Sequence, residues 1–238
     1  LSSLISMVGV THINFNNNSF IGGSADINDR IISFFDEGDI EQVAIKNNRF
    51  VDGDFGIYHE NIDDLSTMKT LKIYANDFLN QRGSALYLNG IEDLSLFNNF
   101  VSSDIFIIFA WNLTCYQSTI ANNVIQANRG LRVVGNETNI INNHIDSEHG
   151  GLELSVAYNF KVIHNTIKVN RSSALAVLYC DDSGFIMNNI LMNGGEGVAL
   201  RYYNYHQFPY SDYNLLYTNG ENVAVNAYDH QRPDIYYP

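Results

Sequence analysis

Apolar and polar positions alternate along this chain in a short phrase that returns about every two dozen residues. It is plainest at Thr138-Asn139-Ile140-Ile141-Asn142-Asn143-His144-Ile145, where one apolar residue stands three places before an asparagine and another two places after it. Aligned on that asparagine, the phrase occurs nine times, at Asn18, Asn48, Asn76, Asn99, Asn123, Asn143, Asn165, Asn189 and Asn214. The gaps are 30, 28, 23, 24, 20, 22, 24 and 25 residues, a period that marks solenoids, propellers and arrays. The position three before the asparagine is apolar in every copy but the last, where Ser211 stands, and the position two after it is apolar throughout, from Phe20 to Leu216.

The asparagine tolerates a left-handed backbone better than other residues with a side chain, because its short amide bonds locally. It is therefore expected to turn a strand sharply. The apolar residues at minus three and minus five (Ile13, Val43, Leu71, Leu94) alternate as a half-buried strand does, and the plus-two residue opens another strand beyond the bend. Stacked copies would bring each amide about 4.8 Å from the next, close enough for a side-chain ladder. A further strand, often opened by glycine, follows each asparagine, as in Gly56-Ile57-Tyr58, Gly130-Leu131-Arg132-Val133-Val134, Gly151-Leu152-Glu153-Leu154 and Gly197-Val198-Ala199-Leu200-Arg201. Each period thus holds three short strands and three turns. No stretch has helical apolar spacing long enough to supply crossover helices, so the parallel strands must be joined by coiling.

On these residues the chain resembles a right-handed parallel β-helix of the pectate-lyase-like superfamily, with asparagines in the turn between the second and third sheets. The resemblance runs from about Ile13 to Asn226, and the phrase Tyr210-Ser211-Asp212-Tyr213-Asn214-Leu215-Leu216-Tyr217 is similar to the end of many secreted bacterial β-helix repeats. The fold class it implies is all-β: a single three-sheet solenoid of about nine to ten coils spanning 1–238 as one domain. That architecture serves lyases, hydrolases, adhesins and phage spikes alike, so it fixes shape more than chemistry.

Composition narrows the partners. A net charge of −13 leaves no basic stripe for nucleic acid, and no run of residues is long and apolar enough to span a membrane. The acidic surface suits an extracellular or salty medium. No cofactor is expected; calcium is the one candidate ion, although no calcium-binding repeat or EF-hand loop is present. Cys115 and Cys180 fall three coils apart, about 14 Å along the axis at one strand spacing per coil, and are expected to be free thiols. The chain opens as though in mid-coil, and we expect a fragment of a longer exported protein, secreted or at the cell surface. The long early gaps predict loops over Ser24–Glu41 and Glu60–Lys69, both acidic.

Chemistry is sought on the outward side of the glycine-led strand. Alternation points Arg132, Glu153, Ala199 and Arg201 outward, with Tyr58 in the same column. Arg132 and Glu153 on neighbouring coils read either as a surface ion pair worth about 0 to 1 kcal/mol, or as an arginine that neutralises a uronate beside an acid/base group. His149, just before Gly150 and Gly151, is the nearest candidate base. The candidate catalytic set is therefore His149, Glu153, Arg132 and Arg201. The aromatic run Tyr202, Tyr203, Tyr205 and His206, with Tyr58, is the candidate substrate-binding set, unless those rings fold against the solenoid instead. Asp181-Asp182 and His149-Gly150 are similar to fragments of polygalacturonase-like hydrolases, but in reversed order and without the accompanying phrases, so no catalytic role carries over. Asp181-Asp182 is read as a bend.

Three functions are compatible with this reading. The first is a cell-surface or secreted domain that recognises polysaccharide, the second a lyase or hydrolase acting on an acidic glycan, and the third a structural or adhesive stalk.

Overall fold

The computed structural model describes residues 3–23, 29–35, 40–61, 68–104, 109–203 and 208–226. Among them every strand pairing is parallel and no helix occurs. The chain winds through about eight turns of a parallel β-solenoid. Each coil contributes one strand to each of three faces, as the period requires.

In one representative coil, Leu131–Val134 lies in sheet 1, Asn139–Ile141 in sheet 2 and His144–Ser147 in sheet 3, after which Leu152–Ser155 returns to sheet 1. In-register partners carry this upward: Arg132 pairs with Glu153, Ile140 with Val162 and Ile145 with Ile167. Sheet 3 has nine strands, from Ser19–Ile21 to Leu215–Thr218. Sheets 1 and 2 are hydrogen-bonded as one 18-stranded sheet, because Ser84–Phe97 passes from the first to the second without a break, bulging between Asn89 and Ile91.

The nine aligned asparagines form a continuous file at the corner between sheets 2 and 3. At its centre the Asn143 backbone N–H and Nδ2 both donate to Oδ1 of Asn165, at 2.9 and 3.0 Å, and Nδ2 also donates to the carbonyl of Ile120 one coil back, at 2.9 Å. The same pair of amide-to-Oδ1 bonds repeats at every step from Asn18 to Asn214. Asn48 through Asn189 are buried. A buried amide is stable only when its donors and acceptor are matched, and here each side chain also satisfies a carbonyl that the bend would leave unpaired.

The left-handed residue is not this asparagine, as its amide chemistry suggested, but the one before it. Asn17, Asn47, Ala75, Asn98, Asn122, Asn142, His164, Asn188 and Tyr213 all have φ between 54° and 60°. The ladder asparagine has its amide committed to neighbouring coils, and its predecessor makes the turn. A second left-handed corner, between sheets 1 and 2, uses His12, Gln42, Thr70, Asp93, Gln117, Glu137 and Asn159, six places before the ladder residue. Its varied side chains left no mark in the sequence pattern.

Inside, the minus-three and plus-two residues fill the core, almost all fully buried. Phe20, Phe50 and Phe78 stack ring on ring, with centroids 5.1 and 4.7 Å apart, before aliphatic residues take over from Val101. The glycine that opens the sheet 1 strand has a packing cause. A Cβ on Gly151 would come within 2.2 Å of Ile167 Cγ2 and 2.4 Å of the Ala174 carbonyl oxygen, so only the smallest residues fit where the coil bends inward. Ala85, Ala110, Ala174 and Ala199 occupy the equivalent place in other coils and are buried. Ala199, expected to point outward, is thus inside: the strand departs from strict alternation at this corner.

Two expected loops are in part strand. Arg30–Phe35 within the first gap is a full member of sheet 1, paired with Ser3–Val8 and Phe55–His59, and Met68 already begins a sheet 2 strand. The remaining loop positions 24–28, 36–39 and 62–67 lie outside the described residues. Cys115 and Cys180 are free and buried, as expected. Burial pushes the thiol pKa of each up to about 11.

Candidate functional site

Sheet 1 presents its outward column in register: Tyr58, Tyr87, Asn112, Arg132, Glu153, Ala176 and Arg201 stand on successive coils. Parallel pairing without slippage sets these side chains about 4.8 Å apart. Arg132 Nε donates to Glu153 Oε1 at 2.9 Å, with both side chains partly exposed. The surface ion pair weighed from sequence therefore forms, and at this exposure it contributes little to stability.

Glu153 also borders a cleft of about 190 Å³ on the side where the chain enters sheet 1 from sheet 3. His149 lines the same cleft, together with Arg129, Phe109, Ser172 and Ser173. Two of the four residues proposed for chemistry thus meet in one concavity, and Arg132 reaches it through Glu153. The Arg129 guanidinium lies 5.7 Å from the Phe109 ring centroid, within cation–π range. The floor forms at Gly150, Gly151 and Leu152, where the inward bend removes the outward side chains. Ser173 is 4% exposed, and its Oγ has no hydrogen-bond partner among the described residues. Arg201 stands further along the column. Its Nε is buried and likewise without a hydrogen-bond partner among the described residues.

The aromatic set divides. Tyr58 is nearly covered: the Arg30 guanidinium lies 3.4 Å from its ring centroid, and Tyr87 stacks on it at 4.9 Å and 9°. Its hydroxyl donates to Glu60, and burial above all raises its pKa. With neighbours already stacked on its ring, Tyr58 has no open face for a sugar. Tyr202 points into the core, 6% exposed, and meets Phe208 edge-on at 5.3 Å. The alternative of rings folded against the solenoid therefore holds for Tyr202. Tyr203 stays on the outer side against Tyr179. Tyr205 and His206 lie outside the described residues. Asp181 makes the expected bend, its Oδ1 accepting from Ser183 N–H and Oγ.

Sequence reasoning missed Phe109, Arg129 and Ser172, in the turns leading into sheet 1, and Ser173, the first residue of its strand. It also missed a segregation that the register makes visible. Of the seven arginines among the described residues, Arg30, Arg82, Arg129, Arg132, Arg171 and Arg201 belong to sheet 1 or its lead-in turn and only Arg49 lies on sheet 3, whereas the lysines lie on sheet 2 (Lys46, Lys69, Lys72, Lys161) and sheet 3 (Lys168). Arg82 pairs with Asp54 and Arg171 with Glu148. In a chain of net charge −13, the planar guanidinium donors are concentrated on one face. No group of three or more His, Cys, Asp or Glu positioned to hold a metal occurs among the described residues.

Comparison with known protein families, with curated proteins and with solved structures finds no match.

Proposed function

We propose that this chain is a carbohydrate-recognising solenoid of a secreted or cell-surface protein, of the kind its resemblance to pectate-lyase-like β-helices implies, with the outer face of sheet 1 as the binding side. The observation that carries this reading is the cleft holding an aromatic ring, two hydroxyls, an imidazole, a guanidinium and a carboxylate together. Sugars present apolar ring faces and radial hydroxyls, and a site for them needs an apolar wall with a few convergent polar groups. A rigid coil also suits a long polymer, because equivalent positions recur at a fixed spacing.

A catalytic reading draws on the same residues. A hydrolase needs two carboxylates flanking the scissile bond, whereas Glu153 is the one carboxylate among the described residues lining the cleft, and Arg132 holds it. What survives is a lyase-like role with His149 as base and arginine neutralising a uronate. The stalk reading requires no site at all.

An oligosaccharide array followed by calorimetry separates the three. The expected result is glycan binding by the intact protein, weakened at least tenfold by Phe109→Ala or His149→Ala with unchanged circular dichroism. Unsaturated product released from uronate polymers, assayed with and without calcium, would establish the lyase. Failure to bind any glycan would leave the stalk.

A further inference from the structure

The border of sheet 1 opposite the cleft carries a second feature. Val156 and Tyr179 occupy equivalent places in successive coils: Val156 N–H donates to the Leu178 carbonyl at 2.9 Å, and Tyr179 N–H to that of Tyr203 at 3.1 Å. Their φ values are +49° and +56°, and their side chains are 55% and 52% exposed. A β-branched residue in this backbone region is rare and costs free energy, and here the strain presents apolar groups to solvent instead of burying them. Tyr158, two residues beyond Val156, is 48% exposed. Tyr203 meets Tyr179 edge-on at 5.3 Å. Together they make an aromatic ridge along this border.

Between cleft and ridge the surface is low, its part-exposed positions on this strand being Ala176 and Leu178. Ala176 interrupts the column of long side chains between Glu153 and Arg201, and Ser155 beyond it is buried. The buried Ser173 Oγ and Arg201 Nε, both without partners among the described residues, mark the start and the middle of the path. Buried polar atoms are normally paired; Ser173 lines the cleft itself, and the half-buried Arg201 stands beside Ala176 on the next coil. From Ser173 to Tyr179 the chain advances six residue steps, about 20 Å at roughly 3.3 Å each. That exceeds one sugar and suits an extended oligosaccharide.

We infer that the ligand crosses sheet 1 along its strands, with one ring in the Ser173 cleft and a later ring stacked on the Tyr179–Tyr203 ridge, and does not follow the column along the solenoid axis. The ligand class is thereby an extended polysaccharide segment several rings long, and not a single sugar. This rests on the carbohydrate reading above.

The test is affinity against chain length, by calorimetry on the intact protein, with cellulose-derived and polygalacturonate-derived oligosaccharides of one to six rings. Affinity is expected to rise with length until the oligomer spans both borders. Tyr179→Asn removes the ring yet suits the left-handed turn, so the fold is kept. It should abolish the gain of the longer oligomers, at least tenfold at six rings, while single-ring binding stays unchanged. His149→Ala should weaken all lengths alike. Affinity that does not grow with length, or six-ring binding unaffected by Tyr179→Asn, overturns the crossing path while leaving the cleft in place. Absence of binding in both series overturns the carbohydrate reading and the path with it.

Discussion

The Asn-Asn pairs divide two tasks that one residue cannot perform together. The first asparagine takes the left-handed backbone, and the second gives its amide to the file of hydrogen bonds. Where the first is another residue, the cost should be measurable. Ala75 has φ 55° and is exposed, a conformation that penalises a side chain lacking a local hydrogen bond. Ala75→Asn is expected to stabilise the protein by about 0.5 to 1 kcal/mol, read as a higher urea midpoint at constant slope. The thiols give a second residue-scale expectation. Unfolded, Cys115 ionises near pH 9; folded, near pH 11. Below pH 9 its contribution is complete, and between the two values the unfolded chain has lost a proton that the folded chain keeps. Stability therefore falls as pH rises, by about 1.4 kcal/mol per pH unit for each such thiol. Urea titrations at pH 8, 9 and 10 should show a shallower alkaline decline in Cys115→Ala than in the parent.

At the scale of the element, the coil is held at its corners more than along its strands, many of which are only three residues long. Removing the Asn143 side chain would leave the buried Asn123 N–H and the Ile120 carbonyl unpaired. At roughly 1 to 3 kcal/mol for each unsatisfied group, Asn143→Ala is expected to cost about 2 to 4 kcal/mol in denaturant melts. Asn142→Ala, at an exposed turn position, should cost about 1 kcal/mol, mainly as left-handed strain. Equal effects of the two substitutions would contradict the division of roles. The coil was legible in sequence because core and ladder positions tolerate few residue types: large apolar side chains at minus three and plus two, asparagine between them. The corner between sheets 1 and 2 was not, because a left-handed turn facing solvent at Gln117 or Glu137 selects weakly among polar residues. The strand Arg30–Phe35 escaped notice for a related reason. By register Ile31 stands where the next coil has Gly56, and buried positions follow one another along the strand without alternation.

For the whole molecule, period and register were readable, but the surface was only partly so. His149, Glu153 and Arg132 were found because a strand's alternation predicts its outward column. Phe109, Arg129 and Ser173 were not, since the inward bend at Gly130 and Gly151 turns the preceding residues in a direction that alternation does not describe. Tyr58 and Tyr202 show the opposite difficulty: an aromatic residue near a binding face is as readily covered by its neighbours, as Arg30 and Tyr87 cover Tyr58, as offered to a ligand, and sequence alone leaves both readings open. The sorting of cations by face has a practical side. Amine-directed coupling to a sensor chip or bead, which modifies lysine and spares arginine, would tether this protein through the two faces carrying Lys46, Lys69, Lys72, Lys161 and Lys168, leaving the arginine-rich face turned toward the medium with its chemistry untouched.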